Sequence, residues 1–373
     1  MKNLTALFIS LLFLLSVSGC NVQDFEQPSI ENYGMVGVMG FDVAEDGYMN
    51  VTVTLPQPEM DAETKVQKYT TTVKSPHRAI MEASTKSEKL LSTAQLRVIL
   101  FSEEFAKEVG VWEVLENLYR DPRVGTNSFI AVVKGSTEEL LSGEYKDKPN
   151  INRYLNQLLK PTTITAFSPF TTIHHFIRHV TSQVSDALAP YIEKTGDSIQ
   201  ITKVALFKGS KMVSTIEREE AKIIESIKRN RKTSDISYEI QEDGRGSGEE
   251  AVLVLNFIRS KRDVKTNGDP VNPEIHVYLY IAGSVVDYTG DYNLDVEGER
   301  HILEDKLSKE IEAKLSDSIQ QFQELGIDPL ALGDYFRMKD RGEWSKEYWN
   351  DIFSRAEITV HVEPRITSTG TIY

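Results

Sequence analysis

The sequence predicts an α+β protein of three mixed α/β domains, the last an antiparallel-rich sheet packed by a long amphipathic helix. Three observations carry that expectation. Between residues 33 and 143, runs rich in β-branched residues alternate with helical patterns. Near Gly196 the pattern changes to longer strands. Further on, Leu303, Leu307, Ile311, Leu315, Ile319 and Phe322 form one apolar stripe at helical spacing, with Gly326 as its stop. A chain of 373 residues has ample material for such cores.

Tyr33 to Phe41 and Tyr48 to Leu55 read as strands joined by a hairpin signal over Asp42–Gly47, and Tyr69–Val73 as a third. Ser75-Pro76 supplies an N-cap with proline at the first helical position, followed by Ala79, Ile80 and Ala83 on one face. Leu96–Phe101 is a buried strand. Glu103 to Tyr119 is a helix with Phe105, Val109, Trp112 and Leu115 on one face, broken at Asp121-Pro122. Phe129–Val133 is a strand, and Ser136-Thr-Glu-Glu139 a capping box opening a short helix.

Residues 144–200 look mostly helical and connective, with a helix from Thr172 to Leu188 ended by Pro190. Ile199–Phe207 and Lys211–Ile216 are strands turning at Gly209-Ser210, followed by a helix over Arg218–Lys228. Ile236–Ile240, Ala251–Ser260 and Glu274–Val286 alternate or run apolar as strands do. After the striped helix, Trp344, Tyr348, Trp349 and Phe353 mark a last helix, and Ile358–Val362 a final strand. In that segment Gly333 is expected at a backbone turn closed to other residues, and Trp349 as an anchor of the last helix.

The N-terminus sets the address. Lys2 and the apolar run Leu7–Leu15 form a secretory signal, well short of the ~20 residues needed to cross a bilayer. It ends in Leu15-Ser-Val-Ser-Gly-Cys20, the pattern of a bacterial lipobox, so the only cysteine of the chain is expected to carry S-diacylglycerol and N-acyl groups. Two acyl chains, at about 0.8 kcal/mol per buried CH₂, hold a domain on a membrane almost permanently. The expected organisation is a signal over 1–19, a lipidated tether over 20–32, an N-terminal α/β domain over 33–143, a mostly helical middle domain or connector over 144–198, and a C-terminal α+β domain over 199–373. The expected location is the outer face of the cell membrane, anchored through Cys20.

With 42 Lys+Arg against 56 Asp+Glu, the formal charge is −14. Nucleic acid is therefore not expected as a partner, since phosphate recognition needs clustered cations, and an anionic membrane surface should not bind the body itself. One cysteine excludes an intrachain disulfide framework and any Cys₂ or Cys₄ metal site. No Gly-x-Ser-x-Gly elbow, His-Glu-x-x-His helix, Walker A loop or Gly-x-Gly-x-x-Gly turn occurs, so no catalytic residues, no cofactor and no enzymatic activity are expected.

Three constellations have the residue types of a site. His174, His175 and His179 share one helix, but no nearby carboxylate or cysteine completes a zinc set, and packing or solvation is preferred. Asp287, Asp291, Asp295, Glu297 and Glu299 surround two glycines without EF-hand spacing; they fit a solvated loop placing negative charge near a helix N-terminus. Lys228, Arg229, Arg231 and Lys232 fit a solvated helix end, with a headgroup or partner contact as the alternative. No metal site is expected.

The second half is similar to the Ger(x)C family, the lipoprotein C subunits of spore germinant receptors. The residues that carry the resemblance are Val204-Ala-Leu-Phe-Lys-Gly-Ser-Lys-Met-Val213 with Glu219-Glu-Ala221, then Gln323–Gly333 with Arg337, then Trp344, Trp349-Asn-Asp-Ile-Phe353, Ile358–Val362, Ile366 and Gly370. Gly37–Asp42, Val98–Phe101 and Tyr119–Arg123 also fit. One departure is that Asn21 follows the lipid cysteine where the family often has Trp. The resemblance implies a three-domain α+β subunit with no catalysis of its own, working in nutrient-triggered germination beside polytopic A and B receptor subunits in the spore inner membrane. Arg337 and Asp334 are the candidate partner contact. The alternative from another class is a solute-binding lipoprotein feeding a transporter, which two similar lobes around a cleft would favour; a lipid-anchored hydrolase ranks third.

Overall fold

The computed structural model describes residues 29–57, 66–160, 171–228, 235–241, 250–340 and 342–369. Cys20, Arg229, Arg231, Lys232 and Gly370 lie outside the described residues. The chain enters through a 3₁₀ turn and a short strand β1 (Tyr33–Met35), then β2 (Val38–Val43), β3 (Met49–Pro56) and β4 (Val66–Val73) form an antiparallel meander. Helix α1 (Pro76–Ser84) starts where the Ser75 side chain accepts from the Arg78 amide, with proline in its first turn as expected. Then β5 (Leu90–Ser92) returns to pair in parallel with β1, and β6 (Val98–Ser102) lies parallel beside β2.

The next segment departs from expectation. Instead of one helix from Glu103 to Tyr119 there is a π turn at Phe105–Val109, a break at Gly110, and then α2 (Trp112–Arg120). Gly110 has φ +86°, a left-handed conformation that residues with a Cβ seldom adopt, and it ends the first helix there. The break turns Val109 to solvent and leaves Trp112 half-buried, while Phe105 and Leu115 stay in the core.

Next come β7 (Phe129–Val133), parallel to β6, α3 (Thr137–Ser142), α4 (Ile151–Leu159) and α5 (Ile173–Val180). The helix expected to reach Leu188 thus stops at Val180, and Leu188–Thr195 is a strand, β8, with Pro190 inside it. Proline is tolerated because its missing N–H precedes Tyr191, the first β8 residue paired with β7. Strands β9 (Ser198–Lys208) and β10 (Lys211–Glu217) complete one eight-stranded sheet of order β10-β9-β8-β7-β6-β2-β3-β4. That sheet continues across position 198/199, where the sequence pattern changes.

Alternate residues of β2, β6 and β7 face opposite layers. Met39, Phe41, Ile99, Phe101, Ile130 and Val132 pack under α1, α2 and α5. Val38, Val98, Leu100, Ala131 and Val133 pack under α3 and α4. The period of two is what buries both faces of this central sheet.

Helix α6 (Arg218–Lys228) leads to a second sheet of β11 (Ile236–Gln241), β12 (Glu250–Thr266), β13 (Glu274–Tyr288) and, last in the chain, β14. Between β13 and β14 lie α7 (Glu297–Leu325), α8 (Gly333–Arg337) and α9 (Lys346–Arg355); β14 spans Glu357–Ser368. Pairing is antiparallel except for β13 with β14, so the sheet is antiparallel-rich as expected. The six stripe residues of α7 are all buried against it, and Gly326 caps the helix in the left-handed region. Val204 and Leu206 of β9 join this core, while Ala205 and Phe207 join that of the first sheet, so β9 couples the two halves. Among the described residues no helix is long and apolar enough to cross a membrane.

Candidate functional site

Among the described residues, two places that bring polar groups together lie at opposite ends of the parallel strands. The first is a joint at the start of β8, where residues 183–187 meet the segment 326–349. The Asp186 amide donates to the Asp328 carbonyl at 3.0 Å, and the Asp328 amide donates to Asp186 Oδ2 at 2.8 Å. Lys346 Nζ reaches Asp186 Oδ2 at 2.7 Å and the Ser185 carbonyl at 3.0 Å. Asp186 is almost wholly buried and Lys346 only partly so. The pair therefore locks two distant chain segments in a poorly solvated place, where losing one partner leaves a costly charge.

Asp328 is fully buried and accepts three N–H groups: Leu330 at 3.1 Å, Gly333 at 3.0 Å and the Trp349 indole at 3.0 Å. Burial pushes its carboxyl up to about 6; the Gly333 amide, Lys346 and the indole pull it down, while the Asp186 carboxylate raises it. Trp349 is fully buried, stacks with Trp344 at 5.7 Å and touches Phe336 and Phe353, as its expected anchoring role requires. Trp344 in turn donates its indole N–H to the Gln183 carbonyl at 3.1 Å.

Gly333 differs from expectation. It has no positive φ; the left-handed residue of this turn is Ala331, at φ +56°. A Cβ on Gly333 would stand 2.8 Å from the Trp349 ring and 3.0 Å from Val184 Cβ, so glycine is required by close approach. On the outer side, Arg337 Nη2 pairs with Asp334 Oδ1 at 3.3 Å, both side chains about half exposed, and Met338 beside them is 74% exposed. The two candidate contact residues thus project from a rigid base.

No motif in the sequence marks the second place. A crevice of about 610 Å³ opens at the carboxyl ends of β2, β6 and β7, the usual ligand position in an open parallel sheet. Asp42 forms its floor. That carboxylate accepts the Thr137 amide and hydroxyl, both at 2.8 Å, and the Glu138 amide at 3.1 Å, and so caps α3 together with Ser136. Glu103 stands on the wall, within reach of Lys107 and of the Tyr191 hydroxyl at 2.6 Å. Burial raises its pKa, but Lys107 and Tyr191 outweigh that and hold it below the ordinary carboxylate value. Only a strand-end carboxylate, Asp42 after Phe41, signalled this floor in the sequence.

The other constellations are dispersed. His175 Nδ1 lies 2.8 Å from the Thr172 hydroxyl and His179 Nδ1 2.9 Å from the Ser185 hydroxyl, so both serve helix α5 and its exit. In the acidic run, Glu299 accepts the Asn293 amide and Asp295 the Thr369 hydroxyl. Lys228 stands 3.8 Å from Glu225. Among the described residues no group of three or more His, Cys, Asp or Glu side chains is placed to hold a metal ion.

Comparison with known proteins bears on the whole chain. Residues 26–194 match the model of the spore germination protein N-terminal domain, and residues 202–370 that of the spore germination B3/GerAC-like C-terminal domain. Spore germination protein GerQC of Bacillus cereus is 26% identical over 341 residues, covering 91% of this chain and 93% of the relative. Spore germination protein YndF of Bacillus subtilis (strain 168) is 20% identical over 297 residues, covering 78% of this chain and 72% of its own. The crystal structure of the GerBC protein has a similar fold, with a TM-score of 0.56 at 16% identity, covering 88% of this chain and 96% of that one. With its two halves matched in order by the two germination domains, the chain belongs to the Ger(x)C family of spore germination proteins.

Proposed function

We propose that the protein is a lipid-anchored, non-enzymatic C subunit of a spore germinant receptor, needed for receptor assembly or signalling and held on the outer face of the spore inner membrane through Cys20. Its partners in this reading are the polytopic A and B receptor subunits. The family membership carries the germination role, and the rigidly mounted Asp334–Arg337 pair supports a contact with another subunit. The alternative of a solute-binding lipoprotein fits less well, because the two halves are unlike: one is an eight-stranded mixed sheet between helices, the other a four-stranded sheet.

The contact is tested with Arg337→Glu. The exposed Arg337–Asp334 pair is worth at most about 1 kcal/mol, so the variant should keep wild-type abundance and thermal stability while nutrient-triggered germination falls. An unchanged nutrient response and unchanged subunit co-purification would end the contact reading.

A further inference from the structure

We propose that the end of the eight-stranded sheet from which residue 29 emerges is the membrane-facing surface, and that a groove there seats the phosphate headgroup of an anionic lipid. This rests on the reading that Cys20 is acylated. Nine residue steps separate Cys20 from Ser29, where the described chain begins, a reach of at most about 32 Å fully extended, so the lipid lies within that distance of the entry beside β1. Strand β1 pairs with β5, Tyr33 opposite Leu90, below the amino ends of β2 and β6.

Around that exit the surface differs from the rest of the molecule. Arg78, Lys86, Lys89 and Arg97 stand along residues 78–97 against only Glu82 and Glu88, in a chain whose formal charge is −14. Two apolar side chains project there, Met81 at 59% exposure and Leu90 at 48%. Between α1 and the 117–123 turn lies a groove of about 310 Å³, with Ile80, Leu118 and Pro122 among its apolar walls and His77, Arg120 and Arg123 on its rim.

The rim cations already have acidic neighbours. Arg120 Nη2 pairs with Glu116 at 2.8 Å with its side chain 77% exposed, and Arg123 is held by both oxygens of Asp121 at 2.9 Å. A guanidinium carries five N–H donors, so each pair leaves donors for phosphate oxygens. The net negative charge of the body does not prevent this, because screening at physiological salt confines each charge to roughly 8 Å. Cations beside exposed apolar groups are the pattern that anionic bilayer surfaces attract.

The test uses the full acylated chain in phosphatidylcholine vesicles, with and without phosphatidylglycerol, and follows amide exchange by mass spectrometry. Residues 76–92 and 117–123 should exchange roughly tenfold more slowly when phosphatidylglycerol is present. The effect should fade with added salt and be lost in a Lys89→Glu/Arg120→Glu variant that melts like wild type. Equal exchange in the two vesicle types, or protection confined to another surface, would overturn the proposal. The mass of the Cys20 peptide from the same sample reads the anchor separately. An unmodified thiol with protection intact sinks the anchor and keeps the surface; an unmodified thiol without protection sinks both.

Discussion

At Gly333 the joint has no room to spare. A methyl group there would drive into the Trp349 indole, 2.8 Å away, with Val184 behind it. Gly333→Ala should therefore cost ~1–3 kcal/mol by overpacking, and Trp349→Ala ~3–5 kcal/mol by the cavity it leaves, both measured by chemical denaturation. Asp328 adds a pH dependence. Its carboxyl is raised in the folded state, from an ordinary 3.8 to about 6, so the fold holds that proton more tightly than the unfolded chain does. The stability this group provides is complete below its unfolded value and is lost as pH climbs through about 6. Two pKa units correspond to up to about 3 kcal/mol. Asp328→Asn should flatten the change in melting temperature between those limits; an unaltered slope would show that Asp328 does not titrate there. The sequence exposed Trp349 as an anchor through its aromatic neighbours, but the reason for Gly333 was invisible, since close approach depends on a tryptophan sixteen positions away in another helix.

Among the elements, legibility followed periodicity. Helix α7 was readable because its stripe repeats every three or four residues from Leu303 to Phe322, over about five turns, and Gly326 closes it. Strand β8 was not, because Val184, Leu188 and the following Pro190 extend the helical spacing of α5 and then supply its expected stop. The π turn was hidden for a like reason: Phe105, Val109 and Trp112 keep step with a continuous helix, and only the backbone sign at Gly110 breaks it. Strand β14 shows how an edge is closed. Its outward N–H groups at Val362 and Ile366 donate to Glu312 at 2.8 Å and Glu304 at 2.7 Å, both from α7, and Pro364 between them has no N–H to offer. Glu304→Ala should leave the Ile366 amide unpaired and cost ~1–3 kcal/mol in chemical denaturation, more than an exposed α7 carboxylate such as Asp305. Equal losses at both sites would contradict this view of the edge.

For the whole molecule, the direction of the parallel strands organises everything. The chain enters at their amino ends beside β2, and the Asp186–Asp328 joint sits at the same edge at the start of β8, three strand spacings or roughly 15 Å away. The crevice floored by Asp42 opens at the carboxyl ends, a strand length of about 17–20 Å away. Under the proposed anchoring, Arg337 and Met338 then lie on the membrane side with the tether, where a polytopic partner is reachable, and the crevice faces away. The α+β class and the closing sheet were legible in the sequence, because β-branched runs and one long stripe are local signals. The merging of residues 188–217 into the first sheet was not, because strand order is set by pairing between distant segments. The receptor-subunit reading is tested most directly by affinity capture of the protein from detergent-solubilised spore membranes, with identification of the integral proteins that co-purify. It predicts recovery of the polytopic A and B receptor subunits, reduced by Arg337→Glu at equal bait; recovery of transporter permeases with an ATPase, and of neither receptor subunit, would contradict it.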